Sequence, residues 1–306
     1  MKLIIGTRGS KLALWQANRV KDLLQEKFPG IEFELKIIKT TGDLDQGTPL
    51  SQMGGIGLFT KQLEKALADK EIDLAVHSFK DMPSVVDERF EIAAVLEREK
   101  VNDVFISKKY RFDDLKDKNL IIGTSSLRRI SLLKSNFPHI KTENLRGNVD
   151  TRLRKLEEGM YDGIILAYAG VKRLGLEDKI TDIIPYDVII PAVAQGAVAV
   201  EIRKDDLKVK EVVSAVNHEE TMLCVEQERD FLRIVEGGCR VPVGAFARFE
   251  EGSFVIEGFV GSVDGKKTVK HKIILPEDGF EEAGKNLAVY ILENGGKEIL
   301  KEVEKR

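Results

Sequence analysis

Hydrophobic and polar positions switch between two periods along this chain, and each switch marks an element. Lys2 to Ile5 is an apolar run that reads as a buried strand, with Gly6-Thr7-Arg8-Gly9 as the turn after it. Ser10 can cap a helix from Lys11 to Lys27, where Leu12, Trp15, Val20, Leu23 and Leu24 make most of an apolar stripe. Pro29-Gly30 ends that helix, and Ile31 to Lys39 alternates as a second strand. Together they form a β-loop-α-β unit of the kind that builds α/β folds. The next stretch, Thr41 to Gly57, has no apolar period and is rich in glycine. At roughly 17 residues it exceeds ordinary connections and reads as a lid, a binding loop or disorder. Leu58 to Lys70 is predicted helical, and Asp73 to Val76 a strand that runs into His77-Ser78-Phe79-Lys80-Asp81-Met82-Pro83.

A second pass of the same pattern follows. Leu120-Ile121-Ile122-Gly123-Thr124 echoes Leu3-Ile4-Ile5-Gly6-Thr7. Ser125-Ser126 caps a helix from Leu127 to Asn136, and Phe137-Pro138 ends it much as Phe28-Pro29 ended the first. The spacing between echoes shifts, so the two passes predict related α/β lobes rather than an exact repeat. Pro191 to Val200 holds a strand expected to return to the first lobe's sheet, which makes the second lobe an insertion in the first. From Glu219 the texture changes. A helix runs to Val235, then strand-like runs cover Val243–Phe249, Ser253–Val260 and Thr268–Leu275, with Asp264-Gly265 as a hairpin turn. A helix from about Phe280 to Glu293 precedes a polar tail. The expected fold is α/β: two lobes with mixed sheets and flanking helices, plus a small C-terminal α+β domain with a three-stranded sheet. The expected domains are 1–98 with 195–216, 99–194, and 217–306.

The chain has 306 residues, a net charge of −3, and 42% hydrophobic and 32% charged residues. That charge carries no nucleic-acid signal. No run approaches the ~20 apolar residues of a membrane span, and the N-terminus enters a strand without an export pattern. With only two cysteines, a disulfide framework is excluded, and a cytoplasmic location is expected. The four histidines are well separated, so no metal site is expected.

The cations are not evenly spread. Arg8 follows the first strand and Lys80 a later one; Arg128 and Arg129 open a predicted helix. Arg146 precedes Gly147-Asn148, Arg152 lies in the first turn of the next helix, and Lys172-Arg173 follow the strand at Ile164–Ala167. Helix N-termini favour acids, so arginines there ask for a bound anion. A solvated surface explains any one of them, but poorly their recurrence at the working edges of both lobes. A polyanion held between the lobes is therefore expected. The glycines lack the Gly-Lys-Ser/Thr ending of a phosphate loop, which argues against a nucleotide triphosphatase. Asp81, among cations, is either a salt-bridge partner or a carboxylate that stabilises a developing cation or moves a proton. His77 is a second acid/base candidate or a structural residue. Cys239, in Gly237-Gly238-Cys239-Arg240-Val241-Pro242-Val243-Gly244, is either a small buried residue or a covalent attachment or nucleophile site.

Six motifs, taken in order, resemble the hydroxymethylbilane synthase (porphobilinogen deaminase) family over nearly the whole chain. They are Gly6-Thr7-Arg8-Gly9-Ser10-Lys11-Leu12-Ala13, His77-Ser78-Phe79-Lys80-Asp81-Met82-Pro83 and Gly123-Thr124-Ser125-Ser126-Leu127-Arg128-Arg129. Leu145-Arg146-Gly147-Asn148-Val149, Pro191-Ala192-Val193-Ala194-Gln195-Gly196-Ala197 and Gly237-Gly238-Cys239-Arg240-Val241-Pro242 complete the set. The chain departs from the family at Ile56, where Lys is common, and at Ala194, where Gly is common. The resemblance implies lobes like those of periplasmic binding proteins and a monomer. It implies a dipyrromethane cofactor, built from substrate and joined to Cys239 by a thioether. It implies a transferase of porphyrin, and hence heme, biosynthesis that joins four porphobilinogen molecules head to tail with loss of ammonia, water then releasing the linear tetrapyrrole.

By the same resemblance, Ser10, Lys80, Asp81, Thr124, Ser126, Arg128, Arg129, Arg146 and Gly147 hold the cofactor. Substrate contacts fall to Arg8, Ser10, Gln16, Phe59, Arg146, Arg152, Arg173 and Gln195, and catalysis to Asp81. Two rivals remain at this level. One is a non-enzymatic bilobal anion-binding protein; the other is a hydrolase with Cys239 as nucleophile and His77 as base.

Overall fold

The computed structural model describes residues 1–40, 60–235 and 241–304. The N-terminal apolar run is strand β1, Lys2–Thr7, with Leu3 and Ile5 turned into the core. Ser10 Oγ accepts the Ala13 N–H at 3.2 Å and starts helix α1, Lys11–Lys27. Its buried side, Ala13, Gln16, Ala17, Val20 and Leu24, follows the three- and four-residue spacing of a helical face. Strand β2, Glu32–Ile37, pairs parallel with β1. Helix α2, Lys61–Ala68, and strand β3, Leu74–Ser78, follow; β3 runs on past the Val76 expected from sequence. A 3-10 turn, Phe79–Asp81, leads toward β4, Phe90–Val95.

The second series has the same plan. It comprises β5 (Asp103–Ile106), β6 (Ile121–Gly123), helix α3 (Leu127–Asn136), β7 (Lys141–Glu143), α4 (Val149–Glu157), β8 (Gly163–Ala167), α5 (Tyr168–Arg173) and β9 (Asp182–Ile183). Strand β10, Val198–Arg203, then lies between β3 and β4 and antiparallel to both. The first sheet runs β2-β1-β3-β10-β4 and the second β7-β6-β8-β5-β9. In each, three parallel strands are followed by an antiparallel one taken from elsewhere in the chain. This is the mixed-sheet α/β class expected from the sequence.

Helices α6 (Leu207–Ser214) and α7 (Glu219–Val235) precede the three-stranded antiparallel sheet β11 (Val243–Glu250), β12 (Ser253–Gly261) and β13 (Thr268–Pro276). Helix α8 spans Ala283–Ile291. The polar tail expected after it is instead a π-type turn, Leu292–Gly296, and a further helix α9, Lys297–Glu304. Gly295, at φ 106°, breaks the pattern that would have announced α9, while Ile299 and Leu300 are buried on it.

The chain divides into two compact units. The first holds 1–40, 60–99 and Gly196–Leu223; the second holds Lys100–Gln195, 224–235 and 241–304. In the first, Ala17, Val20 and Leu24 of α1 pack with Leu74, Val76, Val198 and Val200. Each of these valines and leucines contributes about 1.5–3 kcal/mol by leaving water. In the second, Phe105, Ile122, Leu132 and Leu133 share a cluster with Phe259 of β12.

Candidate active site

In the first unit, β1 and β3 run parallel, with Ile5 opposite Leu74 and Gly6 opposite Ala75. Arg8 and the Lys80–Asp81 turn therefore leave the same carboxyl edge, where α/β sheets bind ligands. The turn is fixed from below. Phe79 is buried and its N–H donates to Ala197 O at 3.1 Å; Met82 is buried beyond it. Lys80 and Asp81 are left exposed. Asp81 makes no ion pair among the described residues, so the salt bridge weighed from sequence is not its role there. Arg8 and Ser10 are half-buried. Gln16 is buried and faces inward: its Nε2 donates to Ser78 Oγ at 2.9 Å, and Ser78 Oγ donates to its Oε1 at 3.1 Å. His77 is also buried, with Nε2 3.0 Å from Glu201 Oε2 of β10. Glu64 on α2 lies in the same electrostatic environment; burial pushes its carboxyl up, aided by Glu201.

In the second unit, β6 and β8 are parallel, so the turns after β6, β7 and β8 share one edge. Thr124 is buried, its N–H on Glu143 O at 2.8 Å. Ser126 begins α3, with its N–H on Thr124 Oγ1 at 3.3 Å. Ser125 Oγ donates to Leu145 O at 2.8 Å and accepts the Leu145 N–H at 3.0 Å, which ties this turn to the one carrying Arg146. Gly147 has φ 111°, a conformation costly for other residues. Arg152 Nε donates to Gly147 O at 2.7 Å and Lys155 Nζ to Arg146 O at 3.2 Å. Arg146, Arg152 and Arg173 are half-buried, Arg173 in the last turn of α5.

Arg128 and Arg129 are placed differently from the other cations. Both are buried beneath the edge, against a carboxylate that sequence reasoning did not single out, Asp103 of β5. Gln195, expected to contact substrate, is buried there too; its Nε2 donates to Asp103 Oδ1 at 2.9 Å and Val101 O at 2.7 Å. Burial would raise the Asp103 carboxyl, but the two guanidiniums, with hydrogen bonds from Arg129 and Gln195, hold it well below the usual carboxylate range. Burial lowers the Arg128 guanidinium, and Asp103 opposes that. The signal in the sequence was an acid opening the apolar strand Asp103-Val104-Phe105-Ile106. A second buried carboxylate, Glu228 of α7, accepts the N–H of Ala194 at 2.7 Å and of Ala247 at 2.8 Å. Ala194 itself has φ 58°.

Cys239 and Phe59 lie outside the described residues, as does Ile56. Cys224 is buried on α7. Among the described residues no group of three His, Cys, Asp or Glu side chains could hold a metal, and no helix is long and apolar enough to cross a membrane.

Comparison with known proteins places names beside this geometry. A family model for "Porphobilinogen deaminase, dipyromethane cofactor binding domain" matches residues 3–211, and one for "Porphobilinogen deaminase, C-terminal domain" matches residues 222–293. The porphobilinogen deaminase of Syntrophomonas wolfei is 49% identical over 304 residues, covering 99% of both chains. That of Chlorobium phaeovibrioides is 47% identical over 309 residues, covering 99% of this chain and 98% of its own. Among solved structures, the BenM effector binding domain with its effector benzoate is 15% identical, with a TM-score of 0.44, covering 70% of this chain and 91% of its own.

Proposed function

The chain belongs to the porphobilinogen deaminase family, and on that premise we propose how its own residues carry the family's reaction. The protein is a hydroxymethylbilane synthase, a transferase of porphyrin biosynthesis with a dipyrromethane cofactor. Four porphobilinogen molecules are joined head to tail with loss of ammonia, and the linear tetrapyrrole is released by water.

The residues present suit a group bearing acetate and propionate side chains. Arg128 keeps a buried Nε without a protein acceptor, and Thr124, Ser126, Arg146 and Gly147 gather at the edge above it in the same unit. We assign these residues, with Arg129, Ser10, Lys80 and Asp81, to holding the cofactor, and Cys239 to its thioether. Bound there, the cofactor supplies a fixed primer to which each new pyrrole is added. Arg8, Ser10, Gln16, Arg146, Arg152, Arg173, Gln195 and Phe59 are assigned to substrate; Gln16 and Gln195, turned inward in this state, act through Ser78 and Asp103 or by reorienting. The chain is taken to act as a cytoplasmic monomer of three domains, 1–98 with 195–216, 99–194 and 217–306.

Asp81 carries the chemical reading. It is an exposed carboxylate, one residue after Lys80 and on the same sheet edge as Arg8. A carboxylate so placed accepts from pyrrole N–H groups and stabilises the positive charge that grows on the substrate ring as ammonia leaves. It then stands ready to take the proton displaced from the attacked ring carbon. Incubation with porphobilinogen tests the reading directly. Four molecules should be consumed and four ammonia released per linear tetrapyrrole. Binding without consumption would favour an anion-binding protein, and this reading would fall.

A further inference from the structure

Asp103 opens β5 fully withdrawn from solvent. A buried carboxylate costs several kcal/mol unless it is paired and hydrogen-bonded. Here it receives Arg128 Nη2 at 2.9 Å, Arg129 Nε at 3.0 Å and Nη2 at 2.6 Å, and Gln195 Nε2 at 2.9 Å. The two arginines are not equivalent. Arg129 lays its fork on Asp103 and turns Nη1 to Ile165 O at 2.9 Å, so each of its nitrogens has an acceptor. Arg128 reaches Asp103 through Nη2 and Ile190 O through Nη1, at 2.5 Å. Its Nε is buried with no acceptor. Two guanidiniums against one carboxylate leave one positive charge uncompensated in the trio. The stem of Arg128 is also covered: a Cβ added at Gly244 of β11 would lie 3.0 Å from its Cδ. Strand β11 is the one that follows Cys239 in the chain.

We propose that Asp103 is a positioning residue for the carboxylates of the pyrrole chain. It locks Arg129 as a brace, so that Arg129 serves the cofactor through Asp103 and not by contact, and it holds Arg128 so that its Nε, with the trio's one surplus charge, meets a single ligand carboxylate. The proposal rests on the family reading above. Asp103 touches no substrate; it acts through the arginines. One added carboxylate brings the trio to neutrality, and this is the physical reason a ligand is favoured at a site that is otherwise left with a buried cation.

Two measurements test it. Arginine side-chain 15N NMR compares the wild-type holoenzyme with cofactor-free Cys239→Ser. The Arg128 Nε–H signal should move between the two forms and the Arg129 Nε–H signal should stay. The second uses Asp103→Glu, which keeps the charge but displaces it by a methylene. Cofactor loading should fall and the KM for porphobilinogen should rise roughly tenfold, the scale of one weakened charge-assisted hydrogen bond, with kcat per loaded enzyme little changed. A counter-ion of purely structural role predicts a lower Tm with normal loading and normal KM in the folded fraction, and that result overturns the proposal. An Arg129 signal that moves as far as Arg128's does so too, with no variant at Asp103 required. Wild-type protein that lacks a two-pyrrole mass would overturn the family reading itself and the proposal with it. A normal wild-type mass with either adverse result overturns the proposal alone.

Discussion

Gly244→Ala places a methyl group where the structure has no room for one. An ideal Cβ at this position lies 2.6 Å from Pro191 O, 3.0 Å from Arg128 Cδ and 3.1 Å from Ile190 O. Two of the three neighbours are backbone carbonyls and give little. The third is the stem of an arginine whose head is held by Asp103 and Ile190 O. Relief must therefore come from β11, which is held by its pairing with β12 and by the Ala247 N–H on buried Glu228. Overpacking of this kind costs about 1–3 kcal/mol. For a domain of roughly 150–250 residues each kcal/mol lowers Tm by about 2–4 °C, so a fall of roughly 2–12 °C is expected. Because β11 follows Cys239 in the chain, the displaced strand should also reduce cofactor loading. Thermal melting and intact mass on the same preparation read both effects. A variant with unchanged Tm and full loading would refute the packing argument.

Ala194→Gly removes an L-residue from φ 58°. The relief of about 1–2 kcal/mol is set against about 0.5–1 kcal/mol for glycine's entropy and about 0.8 kcal/mol for the lost buried methyl, and the N–H to Glu228 is kept, so chemical denaturation should show a change within about 1 kcal/mol of zero; a loss of several kcal/mol would sink the idea. Glu64 has a folded pKa raised above 4.5 by burial, so the folded protein keeps a proton that the unfolded chain sheds. Stability therefore declines as pH climbs from that value through the raised one, and Glu64→Gln should raise Tm at neutral pH but not near pH 4. An equal gain at both would rule out the titration. Asp81→Asn should hold the cofactor yet elongate about a hundredfold more slowly or worse, while Asp81→Glu keeps slow turnover; near-normal single-turnover elongation by the Asn protein would move the catalytic carboxylate elsewhere.

Local signals carried most of what could be read from the chain. The Ser10 cap and the Pro29-Gly30 stop lie close to the helix they bound, so Lys11–Lys27 was legible to the residue, but of the apolar stripe only Val20 and Leu24 are buried and Trp15 is exposed. The bounds of α3 and α7 were equally legible, and each of the three strands of the C-terminal sheet runs one residue past its expected end. What was not legible depends on partners far apart in sequence. Arg128 and Arg129 read as ligand contacts because their counter-ion stands 25 and 26 residues earlier, in a strand too short to announce itself. Gln195 meets the same carboxylate across 92 residues, and His77 meets Glu201 across 124. A sequence read alone shows charge at an edge; it does not show how much of that charge is already answered below it. Helix α9 was lost for a local reason, the Gly295-Gly296 break that separates its short apolar face from α8.

On the proposed reading, Cys239 carries a dipyrromethane. Intact mass of the purified chain before any substrate is added, followed by peptide mapping, tests it most directly. The chain should be heavier than its sequence by two condensed pyrroles, and the added mass should fall on the peptide containing Cys239. Cys224→Ser should retain it, and Cys239→Ser should lose both the thioether and the activity. Active enzyme in which the Cys239 peptide is unmodified would contradict the account.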